Sequence, residues 1–234
     1  MAMHALDNPV WESLASHHSA LALKTGCAAR YPGEVAPFIG VKMAEVGAAS
    51  DAAMLVGDGE SVLFVGPAPP LSPSSWSTKP AVLIAQMTCD SHAAINDGPK
   101  VTRLTSPAQI SDMLALTKLV YPHYFRPRTV EMGRYFGIYD GDRLVAMAGE
   151  RMGFGEYREL SAICTHPDHT GRGFAQRLTA MLNNDVLDRG RRPFLHVSHK
   201  NTRAIALYER LGYRFRADIP LVAATRLAGS SGRP

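Results

Sequence analysis

Between the apolar run Glu156 to Thr165 and the amphipathic stretch Gly173 to Arg189 lies Thr170-Gly171-Arg172-Gly173-Phe174-Ala175. A glycine-rich link that opens directly into a helix limits the fold more than any other feature of the chain. The first N–H groups of a helix lack intrahelical acceptors and carry partial positive charge, so such a junction suits phosphate. Glycines let the main chain approach that ligand without an intervening side chain. A dinucleotide-binding turn needs GxGxxG directly after its strand, but Gln176 stands where the third small residue belongs and His166 to Thr170 intervene. The absence of GK[ST] excludes a Walker-type loop. Taken alone, the segment also reads as a turn that merely starts a helix.

The surrounding pattern is α/β. Phe174, Leu178, Met181, Leu182 and Val186 recur at spacings of three and four, which predicts a core-facing helix that stops at Gly190. Upstream come a strand over Val101 to Thr105, a helix over Pro107 to Leu119, and strands Arg134 to Tyr139 and Arg143 to Met152. Asp140-Gly141-Asp142 joins the last two as a hairpin turn. Downstream, strand Pro193 to Ser198 precedes a helix over Asn201 to Leu211 with Asn201 as N-cap, then strands Arg214 to Ile219 and Leu221 to Arg226. The first part is sparser: a helix over residues 8 to 24, a short one at Asp51 to Leu55, and β-like runs Glu60 to Val65 and Ala81 to Thr88 around the loop Gly66 to Pro80. The turn-rich stretch Asp90 to Lys100, with Asn96-Asp97-Gly98-Pro99, marks a boundary. We therefore expect an N-terminal α/β domain over residues 1–98, a second domain over 99–227, and a flexible tail over 228–234.

Charge changes at the same boundary. Residues 1–100 hold 5 Lys+Arg against 9 Asp+Glu, and residues 101–234 hold 20 against 12. The basic half suits a polyanion, but its arginines are scattered, without the stripe expected of a nucleic-acid surface, and a phosphate-bearing cofactor needs fewer contacts. With 46% hydrophobic residues the chain has enough apolar mass for a core, and no run approaches the roughly 18 residues of a membrane span. Three cysteines without a CxxC pair argue against a disulfide framework or a cysteine zinc site. His196 and His199 lie on opposite faces of a strand, so no metal is expected. Neither nucleic acid nor membrane is an expected partner, and a cytoplasmic location is the default.

Two stretches carry a family resemblance. Ile163-Cys164-Thr165-His166-Pro167-Asp168-His169-Thr170-Gly171-Arg172-Gly173-Phe174-Ala175 resembles the motif of the GNAT N-acyltransferase superfamily in which a strand runs into Q/R-x-x-G-x-G/A and a helix; Thr170 replaces the usual Gln or Arg. Asn201-x-x-Ala204-Ile205-x-Leu207-Tyr208-Glu209-x-Leu211-Gly212-Tyr213 is similar to the family's closing helix and following strand. The resemblance reaches back to about Val101. More loosely, the whole chain looks like a two-domain branch laid out as in glycine N-acyltransferases, whose N-terminal half is a degenerate copy of the fold. It implies a central mixed, mostly antiparallel sheet flanked by helices, and acetyl-coenzyme A as co-substrate. It also implies main-chain contacts of Gly171, Arg172, Gly173, Phe174, Ala175 and Gln176 with pyrophosphate, a pantetheine arm along Ile163, Cys164 and Thr165, and a cofactor contact at Asn201. The expected reaction is direct transfer to a primary amine of a small molecule, amino acid or peptide. A cofactor-binding regulator without transfer chemistry is the rival.

The same resemblance nominates reacting groups. Glu159 stands where some members carry a catalytic Glu, though a strand carboxylate paired with an arginine explains it as well. His196 lies where another branch places its Glu, and an imidazole suits base catalysis, but a core or substrate-packing histidine is an equal reading. Tyr208 occupies the family's usual position for protonating the departing sulfur, or else fills the helix face beside Ile205 and Leu211. Reference pKa values of roughly 10 for Tyr and 8.5 for a thiol make full transfer uphill by about 2 kcal/mol, so hydrogen bonding is the easier role. Asn201 and Tyr208, seven residues apart on one helix, share a face and reach points about 10 Å apart. A nucleophilic Cys164 has no adjacent base in sequence. For the acceptor, the family implies Tyr121, Tyr124, Phe125, Arg126 and Arg128 with the segment Ile219 to Val222, although surface solvation or domain packing explains these residues about as well.

Overall fold

The structure, a computed structural model, describes residues 4–95, 97–122 and 124–228. It divides into two units, one of residues up to Gly33, Pro37–Ile84 and Asp218 onward, the other of Glu34–Ala36 and Ala85–Ala217. The sequence boundary near residue 98 therefore differs from the contact boundary: residues 85–98 group with the second unit and residues 218–227 with the first. Asn96 and most of the tail, 229–234, lie outside the described residues.

In the first unit, helix α1 (Pro9–Ala15) starts on a proline, whose missing N–H costs nothing there. Strands β1 (Leu23–Thr25), β2 (Ala28–Arg30) and β3 (Phe38–Val41) follow, then helix α2 (Val46–Leu55), β4 (Ser61–Val65) and β5 (Trp76–Thr78). The unit is closed by the later part of β12 (Arg214–Arg226), in the order β1-β2-β3-β4-β12 with β5 also paired to β12. Only β3 and β4 run parallel among these registered pairs. Ala48 and Ala52 of α2 pack on Ile39, Val62, Phe64 and Trp76.

Two expectations for this unit are corrected. The helix expected over residues 8–24 stops at Ala15, because the buried His18 hydrogen-bonds Ser13 (3.1 Å) and Tyr31 (2.8 Å), and the chain continues as a 3-10 turn into β1. The two strands expected on either side of Pro220 are one strand, β12. A proline lacks only a donor, and the Pro220 carbonyl still accepts the N–H of Gly66 at 2.9 Å.

The second unit holds the remainder: β6 (Val82–Thr88, from Ala85), β7 (Thr102–Leu104), α3 (Pro107–Val120), β8 (Tyr135–Asp140), β9 (Arg143–Phe154), β10 (Tyr157–Thr165), α4 (Phe174–Asp188), β11 (Arg192–Ser198), α5 (Thr202–Arg210) and the first residues of β12. Its sheet runs β12-β6-β11-β10-β9-β8-β7 and is mixed, with β10 and β11 parallel and the β7-β8-β9-β10 ladder antiparallel. A reciprocal cap between Ser106 and Gln109 starts α3. Gly141, at φ 59°, makes the expected hairpin turn between β8 and β9. Leu178, Leu182 and Val186 of α4 are fully buried against Ala148, Leu160 and Leu195, with Phe174 and Met181 partly covered at the edge of that core.

One irregularity shapes everything that follows. Registered pairing between β10 and β11 covers only Tyr157 to Glu159, against Arg192 to Phe194. On the other edge, the β10–β9 register slips between Ser161 and Cys164, at a bulge where Ala162 takes φ 54°. Ala162 is the one non-glycine residue with positive φ among those described. Such backbone strain collects where a ligand site must be formed. Among the described residues no helix is long and apolar enough to cross a membrane.

Candidate active site

The helix α4 opens at Gly173, a left-handed N-cap with φ 77° and no side-chain cap. The first helical bond runs from the Arg177 N–H to the Gly173 carbonyl (2.9 Å), so the N–H groups of Phe174, Ala175 and Gln176 have no acceptor inside the helix. Gly171, at φ 82°, turns the preceding loop. These residues border a cleft of about 460 Å³. Its other walls are Ile163, Cys164 and Thr165 of β10 and, from α5, Asn201, Ala204, Leu207 and Tyr208. Two buried polar atoms on its lining, Thr165 Oγ1 and His169 Nδ1, have no hydrogen-bond partner among the described residues. A polar, extended ligand fits that combination of bare amides, orphaned polar atoms and apolar walls.

Residues named from sequence fall unevenly around the cleft. Ile163, Cys164, Thr165, Gly171, Gly173, Phe174, Ala175, Gln176, Asn201 and Tyr208 all border it. Arg172 does not, and its guanidinium lies 3.8 Å from Asp140 instead. The Asn201 side chain accepts from the Ala204 N–H at 3.1 Å, capping α5 as expected. Val120, His169, Arg203 and Arg210 also line the cleft and were missed. The two arginines follow from the spacing already noted: Arg203 and Arg210 are seven residues apart, as Asn201 and Tyr208 are.

Tyr208 is buried in the cleft wall, and its hydroxyl has no hydrogen-bond partner among the described residues. Burial pushes its pKa up to about 12. Cys164 is likewise raised to about 12 by burial, which keeps it a thiol.

Glu159 and His196 come together, but away from the cleft lining. Glu159 is fully buried, and both its oxygens are engaged. Oε1 accepts from Arg151 Nη2 (2.6 Å) and His196 Nδ1 (2.8 Å); Oε2 accepts from Arg151 Nε (2.8 Å) and the Met152 N–H (3.3 Å). Burial alone would raise its pKa, but the charge and hydrogen bonds of Arg151, aided by His196, outweigh it and bring it down to about 2. A carboxylate so held is a poor proton acceptor near neutrality; the arginine-paired reading is the one its surroundings favour, with Arg151 as the partner.

His196 is confined by the same logic. Gln86 Oε1 must face the donor Arg216 Nε (2.5 Å), so the Gln86 amide NH₂ faces His196 Nε2 at 2.9 Å. With Nδ1–H donated to Glu159, Nε2 carries no proton and spends its lone pair on Gln86. The imidazole is locked at both ends.

Across the bulge lies a second, much smaller cavity of about 20 Å³, walled by Tyr121, Tyr124, Phe125, Thr129, Tyr135, Arg151, Ser161 and Ala162. Three of the aromatic residues expected at an acceptor site are here. Arg126 and Arg128 are not: Arg128 is exposed and ion-paired to Glu131 (2.5 Å) and Glu34 (3.5 Å). Residues 219–222 belong to the first unit. Sequence reading missed Tyr135, Arg151 and Ser161, because which strand residues share a face depends on the slipped register of β9 and β10.

A family model described as FR47-like protein matches residues 135–219. The solved structure of a GNAT-family protein from Novosphingobium aromaticivorans is 32% identical, covering 97% of this chain and 100% of that chain with a TM-score of 0.87. The fold is shared at lower identity by a GCN5-related N-acetyltransferase from Kribbella flavida (12% identity, 92% of this chain and 95% of that chain, TM-score 0.55). It is shared too by a GCN5-related N-acetyltransferase-like protein from Streptococcus suis (16%, 86% and 84%, TM-score 0.53). No curated protein matches the sequence. The chain belongs to the GNAT superfamily of N-acetyltransferases.

Proposed function

We propose that this protein moves an acetyl group from acetyl-coenzyme A to a primary amine by direct attack, with both substrates bound at once. One observation carries the reading: a single strand, β10, presents Ile163 to Thr165 to a cleft with bare helix amides at one end and the Tyr208 hydroxyl in its wall, while the preceding Ser161 and Ala162 wall an amine-sized pocket. Acetyl-coenzyme A, when bound, supplies an acyl group already activated as a thioester. The main-chain N–H groups of Gly171 and of Gly173 to Gln176 hold its diphosphate, with Arg172 able to leave Asp140 for the same anion. Backbone groups of Ile163, Cys164 and Thr165 run beside the pantetheine arm, and Asn201 borders it from α5.

Tyr208 is aimed at the leaving sulfur. With its pKa near 12, handing over its proton to a thiolate of reference pKa 8.5 is uphill by about 5 kcal/mol, so it stabilises the developing charge by donating a hydrogen bond. Glu159 and His196 support the site from beneath through Arg151, which floors the small pocket. The acceptor nitrogen arrives as the free base. Within this reading the protein works in the cytoplasm, where its free thiols Cys27, Cys89 and Cys164 remain reduced.

The test is release of free thiol from acetyl-coenzyme A across a panel of amines, amino acids and peptides, with acetyl-coenzyme A binding followed by titration calorimetry. Thiol release that depends on one acceptor class supports the reading. Binding without release from any amine would leave the protein a cofactor-binding regulator, and no binding would remove the cofactor site altogether.

A further inference from the structure

Tyr121 stands in the small pocket next to a residue of the cleft. Val120, the last residue of α3, borders the cleft, and the next residue, Tyr121, borders the pocket. The same division occurs on β10, where Ala162 belongs to the pocket and Ile163 to the cleft. Tyr121 packs on the cluster that contains both Ala162 and Cys164. Its hydroxyl has no hydrogen-bond partner among the described residues. A hydroxyl with no protein partner on the wall of the pocket is available to a ligand there.

Two physical properties define the ligand. The pocket holds about 20 Å³, and one water-sized sphere needs about 10–15 Å³, so there is room for a nitrogen and little more. A methyl branch on the adjoining carbon would need space that Phe125 and Tyr135, packed edge to face at 5.4 Å in the pocket wall, already occupy. The pocket floor is also neutral as a whole, since Glu159 matches the charge of Arg151; it favours an uncharged amine over an ammonium ion.

We infer that this pocket seats the nitrogen of a primary amine carried on an unbranched carbon, and that the Tyr121 hydroxyl accepts one of its N–H bonds, directing the nitrogen lone pair across the bulge toward the cleft. The inference rests on the acetyl-transfer reading. In the step it serves, the N–C bond to the acetyl carbon forms and the C–S bond breaks with its electron pair on sulfur. The nitrogen loses one proton and the sulfur gains one overall, so no further reactant is required.

Paired acceptors test it: butylamine against sec-butylamine, and glycinamide against valinamide. The wild-type protein should favour the unbranched member by about tenfold or more in kcat/KM. Tyr121→Phe, which keeps the ring, should lower kcat by about tenfold while acetyl-coenzyme A binding by calorimetry stays unchanged. Tyr121→Ala, by opening the wall, should narrow the preference within each pair. Equal rates on branched and unbranched amines, or Tyr121→Phe turning over like wild type, would overturn the inference while acetyl transfer itself stood. Wild-type protein that binds acetyl-coenzyme A but releases thiol with no amine would overturn the underlying reading, and this inference with it.

Discussion

His196 Nδ1 stands 2.8 Å from Glu159 Oε1, and the carboxylate that fixes the imidazole is itself clamped by Arg151 through two further hydrogen bonds. The three side chains form a unit, with the fully buried Glu159 between the other two, whose charge balances only when Glu159 is ionised. Glu159→Gln removes that charge and with it the ion pair to the Arg151 guanidinium, a change that costs about 3–5 kcal/mol in comparable buried pairs. We expect a large drop in melting temperature, with acetyl-coenzyme A binding by the remaining folded protein nearly intact. A variant that melts like wild type yet loses turnover would instead assign Glu159 to proton transfer.

The same pair sets a limit in acid. Glu159 has a folded-state pKa of about 2, below its ordinary 4.5, so the folded protein binds the proton more weakly than the unfolded chain does. The stabilisation is fully present above about pH 4.5 and is lost as pH falls toward 2, amounting to about 3 kcal/mol. Denaturant titrations at pH 7 and pH 3 should show the loss in wild type and a smaller one in Glu159→Gln. Equal acid sensitivity in both proteins would remove Glu159 as its source.

Much of this arrangement was legible from local chemistry. Gly171 and Gly173 had to turn a loop into a helix, the apolar positions of α4 had to face a core, and Asp140-Gly141-Asp142 had to close a hairpin. Each depends on neighbours in sequence. The strands β1 and β2 are three residues each, too short to show a period of two, and only their pairing defines them. The fate of Glu159 was decided by Arg151, eight residues away on the neighbouring strand. The bulge at Ala162 gave no sequence signal, since alanine is not a residue that prefers a left-handed backbone. Without the bulge, the division of β10 between cleft and pocket could not be read, and neither could Tyr135, Arg151 or Ser161 as pocket walls.

Tyr208 tests the sulfur end of the reaction. Tyr208→Phe retains the ring in the core but removes the hydroxyl, and we expect kcat to fall by about 10²-fold with little change in acetyl-coenzyme A affinity. Because the hydroxyl donates a hydrogen bond without giving up its proton, the pH–rate profile should lose height and keep its shape. Unchanged turnover would reduce Tyr208 to a packing residue.

Cys164 borders the cleft, and a covalent acetyl-enzyme would have to form there. Burial raises its pKa to about 12, so almost no thiolate exists at neutral pH to attack a thioester. Cys164→Ala should therefore keep most of its turnover, and initial-rate plots against both substrates should intersect as a ternary complex requires. Parallel lines, or an acetyl group retained on the protein by mass spectrometry, would restore the thiol route.

The remaining question is how the acceptor loses its charge. Among the described residues that line the cleft, His169 is the only imidazole or carboxylate side chain; its Nε2 is bonded to Asp140 at 3.0 Å and its unpartnered Nδ1 is buried, out of reach of a substrate proton. Glu159 and His196 are both engaged elsewhere. The enzyme must then draw on the fraction of amine already neutral, which is about one part in a few thousand at pH 7 for a lysine-like amine of pKa near 10.4. It follows that kcat/KM for the amine should rise about tenfold per pH unit up to the pKa of the acceptor itself, and that the break should move when acceptors of different basicity are compared. A break fixed near pH 6 to 7 for every acceptor would instead show a protein group taking the proton, and His196→Gln would be the first variant to examine.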